Sequence, residues 1–134
     1  MNNSIRPLAG SVLLAVCGLA TPTLHAQTPG ITRTDLQRHD LSAPGRETVQ
    51  VLVGFAPGAI ASNHHHPGEE IVYVTEGALE YRLEGQAPVT LGAGDVLFIP
   101  HGVNHEVRNV GNGTAAELAT YIVEKGRPLV VPAN

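Results

Sequence analysis

Short runs of alternating, β-branched residues recur along the chain, and Gly or Pro separates nearly every pair of them. A period of two residues places one side of a strand in a core, and Gly and Pro supply the turns between strands. The clearest strand candidates are residues 48–55, 71–75, 79–83, 89–91, 96–99, 105–110 and 115–124, and residues 31–36 are a further candidate for an edge strand. Roughly eight or nine short strands in about a hundred residues predict an all-β fold, a small barrel.

Residues 114–125 are the one segment that could also pass for a helix. Both of its alternating residue sets are apolar or β-branched, which favours a strand that is buried on both faces. The two sets are Leu118, Thr120 and Ile122 against Ala119, Tyr121 and Val123.

Composition limits the partners that the chain can have. A length of 134 residues fits one domain, and the formal charge is −4. The sequence contains no cluster of Lys and Arg. We therefore expect no nucleic-acid partner.

The segment 1–26 has the pattern of an export signal. A polar start with one arginine precedes an apolar stretch, residues 8–20, and small residues then predict cleavage after Ala26, with Ala20 as the alternative site. The stretch is short for a membrane span. We expect a periplasmic or secreted protein with no stable span after cleavage. An uncleaved anchor is an alternative, and lipidation of Cys17 is a minor one.

Two regions follow the predicted signal. Residues 27–45 are polar and predict a flexible lead-in or an edge strand around residues 31–36, and residues 46–134 predict the barrel. The part after the signal contains no cysteine, which excludes disulfides and thiolate ligands there. A metal in this region must be held by His and carboxylate groups.

The segment NHHHPGEE contains three of the seven histidines. In a strand, His64 and His66 project from one face, about 7 Å apart along the backbone, and His65 projects from the other. After the Pro-Gly turn, Glu70 shares the face of the valines that follow if these pack in the core, and Glu69 does not.

A fourth candidate ligand, His105, alternates with Val103 and Val107, which predicts an inward side chain. Three imidazoles and one carboxylate suit one divalent transition metal: Mn, Fe, Ni, Co or Zn. Such a set leaves coordination positions for water or substrate, as catalytic sites do.

The two segments resemble the two cupin motifs, G-x5-H-x-H-x3-E-x6-G and G-x5-P-x-G-x2-H-x3-N. The matching positions are Gly58, His64, His66, Glu70 and Gly77, then Gly94, Pro100, Gly102, His105 and Asn109. The resemblance implies a cupin-type jelly-roll barrel, a metal held by the three histidines and the glutamate, and a homodimer. Apolar residues near the C-terminus (Leu129, Val130 and Val131) are candidates for that contact.

Other side chains are predicted to line the barrel. Tyr81 alternates in phase with Leu79 and Leu83, so all three are predicted to face the barrel interior. We favour the interpretation that Tyr81 lines the wall of the pocket, and it is also a weak candidate for a catalytic proton donor. The apolar lining is predicted to include Ile60, Val72, Phe98 and Val107. We expect His65 and His101 to lie outside the metal site.

These features predict a secreted metalloenzyme that acts on a small oxygen-rich molecule by Lewis-acid or redox chemistry. Oxygenase, lyase and isomerase reactions all fit. The alternative is a non-catalytic module that binds a metal or a small ligand.

Overall fold

The computed structural model describes residues 28–133, so the predicted signal segment lies outside the described residues. The described part contains no helix that is long and apolar enough to cross a membrane. It forms ten β-strands: β1 (Ile31–Asp40), β2 (Arg46–Phe55), β3 (Ile60–His65), β4 (Gly68–Glu76), β5 (Ala78–Leu83), β6 (Val89–Gly92), β7 (Val96–Ile99), β8 (His105–Asn109), β9 (Ala115–Glu124) and β10 (Val131–Pro132).

The strands form two five-stranded antiparallel sheets. One has the order β1-β2-β9-β4-β7 and the other the order β10-β3-β8-β5-β6. Apart from the consecutive pairs β1-β2 and β5-β6, neighbouring strands in each sheet are not consecutive in sequence, as in a jelly roll. The predicted all-β jelly-roll fold is confirmed.

Alternation along the strands produces the core between the sheets. On β4, Val72 and Val74 are fully buried with Glu70, whereas Ile71 and Tyr73 are exposed. On β5, Leu79, Tyr81 and Leu83 are all buried, and so share the inward face that their parity predicts.

Strand β9 is the central strand of its sheet and contacts β2 and β4 along its length. Its burial alternates between buried and half-buried residues, so the predicted burial on both faces is only partly right. The inward set is Ala115, Glu117, Ala119, Tyr121 and Val123. The outward set is half-buried because the sheet has no layer packed on that side within the described residues.

The polar lead-in contains an edge strand that is longer than predicted. Strand β1 pairs with β2 from Ile31 to Asp40, with an irregularity between Asp35 and Gln37. Only Ile31 is buried, so hydrogen bonds to β2, rather than side-chain burial, hold most of this strand in the sheet.

Two glycines occupy backbone positions that other residues would not fit. A Cβ at Gly68 would lie 2.1 Å from the carbonyl oxygen of Ile122, so only glycine lets β4 begin against β9. Gly77 has φ of +72° and joins β4 to β5 in a conformation that other residues rarely adopt.

Asn109 closes the end of the barrel through its side chain. The residue is buried, and its amide nitrogen lies within 3.1 Å of the carbonyl oxygens of Phe55, Ala56 and Gly113. Its amide oxygen accepts a hydrogen bond from the N–H of Gly111 at 2.9 Å. One side chain therefore ties β8 to the end of β2 and to the turn before β9.

Asn109→Ala should lower the free energy of unfolding by about 2–4 kcal/mol, because several buried backbone groups would lose their partner. Urea unfolding measures the change. Asn112→Ala, in the same turn but exposed, is the matched control and should change stability by less than about 0.5 kcal/mol. Equal effects of the two substitutions would contradict this role for Asn109.

Candidate metal centre

Three histidine side chains meet between the two sheets. His64, near the end of β3, is the ladder partner of His105, the first residue of β8, and His66 lies in the connection between β3 and β4. One ring nitrogen of each lies within 4.8 Å of the others, and all three residues are buried. Nitrogens that share one ion at about 2.1 Å lie roughly 3–4 Å apart. The three nitrogens are therefore close enough to be candidates for the ligands of one ion.

Backbone carbonyls orient the three rings. Each Nδ1 faces one carbonyl oxygen: His64 faces Ser62 at 2.7 Å, His66 faces Leu129 at 2.6 Å and His105 faces Val103 at 2.9 Å. A carbonyl oxygen can only accept, so each Nδ1 must carry the proton and donate it. The Nε2 atoms then carry lone pairs, the form that binds metals.

Glu70 faces this cluster from the other sheet. Its Oε2 lies 3.0 Å from Nε2 of His66 and 3.4 Å from Nε2 of His105. Although the first distance is that of an ion pair, Oε2 of Glu70 and Nε2 of His66 are both buried without a hydrogen-bond partner. With Nδ1 protonated, the two atoms both present lone pairs, and a cation between them would remove the repulsion. The residues therefore fit a metal ion.

The environment favours the protonation states that a metal site needs. Burial, together with the neighbouring His105, lowers the pKa of His64 to about 4, so this ring is neutral at pH 7. Burial acts to raise the pKa of Glu70, whereas a proton on Nε2 of His105 or His66, donated to the carboxylate, lowers it to about 2, and a bound cation in place of that proton would act in the same direction. At neutral pH the site thus offers a neutral imidazole and a carboxylate.

The remaining histidines of the two motif segments lie outside the cluster. Nδ1 of His65 is 3.2 Å from Oδ1 of Asn104, on the side of β3 that parity predicts, and His101 is exposed in a turn. Glu69 is half-buried, and its carboxylate lies 3.9 Å from Arg46 rather than near a ligand candidate.

Tyr81 reaches across the barrel to a residue that the sequence reasoning missed. Its hydroxyl donates a hydrogen bond to the carboxyl group of Glu117, on β9 in the opposite sheet. Both residues are buried. Glu117 alternates in phase with Ala119 and Tyr121, so parity was the signal that could have identified it.

Glu117 and Glu70 are buried in the same barrel with opposite pKa shifts. Burial, and then the negative charge of Glu70, raise the pKa of Glu117 to about 8. Tyr121, whose ring centroid lies 4.7 Å from that of His66, also has a raised pKa, chiefly because of burial. Burial and the adjacent Glu117 raise the pKa of Tyr81 well above its usual range.

Comparison with known proteins identifies the family. The cupin domain model matches residues 51–123, more than half of the chain and all of the strands that carry the histidine cluster. The chain belongs to the cupin family.

Relatives of this cupin include proteins of different kinds. It is 47% identical over 65 residues to the polyketide synthase CurC of Streptomyces cyaneus, a match that covers 48% of this chain and 42% of that protein. It is 36% identical over 88 residues to germin-like protein 1-1 of Oryza sativa subsp. japonica, covering 60% and 41%. The chain thus spans about two fifths of the length of the first curated relatives.

A solved oxalate oxidase has a similar structure, with a TM-score of 0.64 and 25% identity over 81% of this chain and 57% of the oxidase. A cupin superfamily protein from Desulfitobacterium hafniense shares the fold, with a TM-score of 0.60 and 20% identity over 75% and 84% of the two chains.

The predicted apolar lining of this cupin needs one correction. Val72 and Val107 are buried and Ile60 is half-buried, but Phe98 is 57% exposed and points outward. Phe98 pairs with Ile71 on the outward face of β4, whereas Ile99 faces inward beside Glu70. In the short strand β7, Ile99 and not Phe98 therefore contributes to the lining of the barrel.

Two surface depressions of this cupin are not lined by the clustered histidines. One of about 660 Å³ is lined by the start of β1, the end of β2 and the start of β9. Another of about 550 Å³ is lined by residues that include Asn63, Leu83 and Asn104.

The raised pKa of Glu117 predicts a pH dependence of stability. Its carboxyl group ionises near pH 4.5 in the unfolded chain and near pH 8 in the folded protein. The stability that it contributes is fully present below about pH 4.5 and is lost as the pH rises through about 8. With chelator present, the free energy of unfolding of the wild type should therefore fall relative to that of Glu117→Gln across this range.

Urea unfolding at several pH values between 4.5 and 8.5 measures this difference. Glu124→Gln, an exposed glutamate at the end of the same strand, is the matched control and should follow the wild type. Parallel curves for the wild type and Glu117→Gln would show that Glu117 ionises at its ordinary pH.

Proposed function

We propose that this cupin is an exported metalloenzyme that binds one divalent transition metal through His64, His66, His105 and Glu70. The supporting observation is the buried contact between Oε2 of Glu70 and Nε2 of His66, in which neither atom has a hydrogen-bond partner. Mn, Fe, Ni, Co and Zn all suit three imidazoles and one carboxylate.

The proposed substrate is a small oxygen-rich molecule, and a carboxylate fits best. A bound divalent ion would supply Lewis-acid or redox chemistry. Three neutral imidazoles and one carboxylate leave about one net positive charge with such an ion, which favours an anionic ligand. The structural similarity to oxalate oxidase, which has also been solved in complex with glycolate, supports this class of substrate.

The chain's own residues would hold and shield such a substrate. The carbonyls of Ser62, Val103 and Leu129 orient the three imidazoles and keep their lone pairs directed at one point. The buried wall of Val72 and Val107 would exclude water, which strengthens electrostatic interactions at the site. Tyr81 donates to Glu117, an arrangement that fits a wall residue better than a proton donor.

A non-catalytic metal-binding or ligand-binding module is the second candidate. The observation that favours it is the burial of the cluster, since His66 and His105 are only 2% and 1% exposed. The two described depressions do not include any of the four proposed ligands. Access for a substrate would then require movement of the connections around the histidines.

His64→Ala and His105→Ala should each reduce the metal content by roughly tenfold or more, because each removes one of four ligands. Elemental analysis of protein purified without added metal salts measures the content, with about one ion per wild-type chain expected. His65→Ala, one residue from a proposed ligand but directed away from the cluster, should keep the wild-type content.

Turnover of oxo-acids, sugar acids and catechols then separates the two candidates. Activity that rises with metal content and is lost in His64→Ala supports the enzyme. Full metal occupancy with no turnover on this panel supports the non-catalytic module. Equal metal content in His64→Ala and the wild type would refute the metal site.

Export is a proposal that rests on residues 1–26. In a Gram-negative host, the full chain should appear in the periplasmic fraction with an intact mass that corresponds to residues 27–134. An intact mass that retains residues 1–26, or recovery only from the cytoplasm, would contradict cleavage after Ala26.

A further inference from the structure

The inward side of the edge strand β1 carries an arginine. Arg33 pairs with Val53 on β2, and Val53 pairs with Glu117 on β9, so the three residues form one row across the sheet. Val53 and Glu117 are both buried between the sheets. Residues that lie directly opposite each other on neighbouring strands project from the same face of a sheet. The side chain of Arg33 therefore lies on the side of the sheet that faces the barrel interior.

Arg33 combines this inward orientation with exposure to solvent. Strand β1 is the edge of its sheet, and Arg33 is exposed although its ladder partner Val53 is fully buried. The four proposed metal ligands, in contrast, are all buried. Arg33 thus lies where the interior of the barrel meets the solvent, at the β1 edge.

Among the described residues, Arg33 has no acidic partner that would balance its charge. The next arginine on β1, Arg38, has its guanidinium 2.7 Å from the carboxylate of the buried Glu47. No such ion pair joins Arg33 to an acidic side chain in the described part of the chain. Glu117 lies in the same row, but burial above all raises its pKa to about 8, so it is neutral at pH 7. A ligand with an acid group would therefore find an arginine whose charge is still unbalanced.

Tyr121 connects Arg33 to the histidine cluster. Its ring centroid lies 4.7 Å from that of His66. Burial raises the pKa of the Tyr121 hydroxyl, whereas the charge of Arg33 and a hydrogen bond from its guanidinium act in the opposite direction. The ring of Tyr121 thus contacts the histidines, and its hydroxyl lies beside Arg33. Roughly the length of one tyrosine side chain separates the guanidinium from the imidazoles.

We propose that Arg33 binds one acid group of a substrate whose other acid group reaches the metal, so that the preferred substrate has two acid groups separated by several carbon atoms. The inference rests on the proposed function and adds a specificity-determining residue to it. A guanidinium presents parallel N–H donors that match the two oxygens of a carboxylate. With a divalent ion bound, the metal site and Arg33 are two separate positive charges, which suit two separate acid groups.

Calorimetric titration of the zinc-loaded protein with oxalate, glutarate and adipate tests this subsite. All three are dianions at neutral pH, so they differ in length and not in charge. The wild type should bind glutarate or adipate with a Kd below about 1 mM. Arg33→Gln should weaken that binding by roughly tenfold or more, because a charge-assisted contact is lost. Oxalate is too short to contact both groups, so its affinity should be the same in Arg33→Gln and the wild type.

Arg82→Gln is the matched control. It removes the same charge from the outward side of the other sheet, where Arg82 contacts Glu80, and should keep the wild-type affinity for all three diacids. Arg33→Lys keeps the charge without the paired donors and should recover only part of the lost affinity. Circular dichroism and the metal content of Arg33→Gln should match those of the wild type, which shows that the variant is folded.

The metal content separates the failure of this inference from the failure of the proposed function. If the wild type holds zinc but Arg33→Gln binds glutarate and adipate as tightly as the wild type does, the role of Arg33 is overturned and the metal site is not. A zinc-loaded wild type that binds neither diacid at about 10 mM overturns it in the same way. A wild type that holds no metal refutes the proposed function, and this inference with it.

Discussion

The close approach of two lone-pair atoms at the centre of the barrel is the contact on which the candidate site depends. Nε2 of His66 and Oε2 of Glu70 are buried 3.0 Å apart, and neither has a hydrogen-bond partner. In a low-dielectric interior such a contact is repulsive unless a cation or a proton lies between the atoms. The Nδ1 proton of His66 is already directed at Leu129, so a cation is the better solution. The rest of the barrel can be understood as the frame that holds these atoms together.

That frame is built from both sheets, which explains why a metal would matter for stability as well as for chemistry. His64 and His105 are paired on neighbouring strands of one sheet, whereas Glu70 belongs to the other and pairs with Tyr121 and Ile99. An ion bound by all of them would cross-link the sheets at one end of the barrel, and its binding free energy would add to the folding free energy. Asn109 provides a comparable link at the other end through hydrogen bonds alone.

Strand alternation predicted most of the fold and the ligand candidates because it depends only on local geometry. The alternation along β4 predicted that Glu70 lies on the buried side with the valines. The spacing of the complete second motif identified His105, on a strand distant in sequence, as a further ligand candidate. Parity failed for Phe98 because a four-residue edge strand has too few residues to reveal its phase. Glu117 was missed because a glutamate within an apolar strand gives no sign of its partner, which is Tyr81 of the other sheet. Contacts between sheets depend on the packing of strands that sequence spacing does not describe.

The two buried glutamates show how one barrel interior can hold the same type of side chain in two charge states, one anionic and one neutral. Positive charge beside Glu70, whether a proton on Nε2 of His105 or His66 or a bound cation, lowers its pKa and keeps it an anion. Burial, and then the negative charge of Glu70, raise the pKa of Glu117 to about 8 and keep it neutral at pH 7, although the hydrogen bond from Tyr81 acts in the opposite direction. A second anion in the same interior would repel Glu70 and would cancel the positive charge that favours an anionic ligand. Burial thus keeps this acidic residue neutral without changing the charge of the site, and the hydroxyl of Tyr81 supplies a hydrogen bond to its buried carboxyl group.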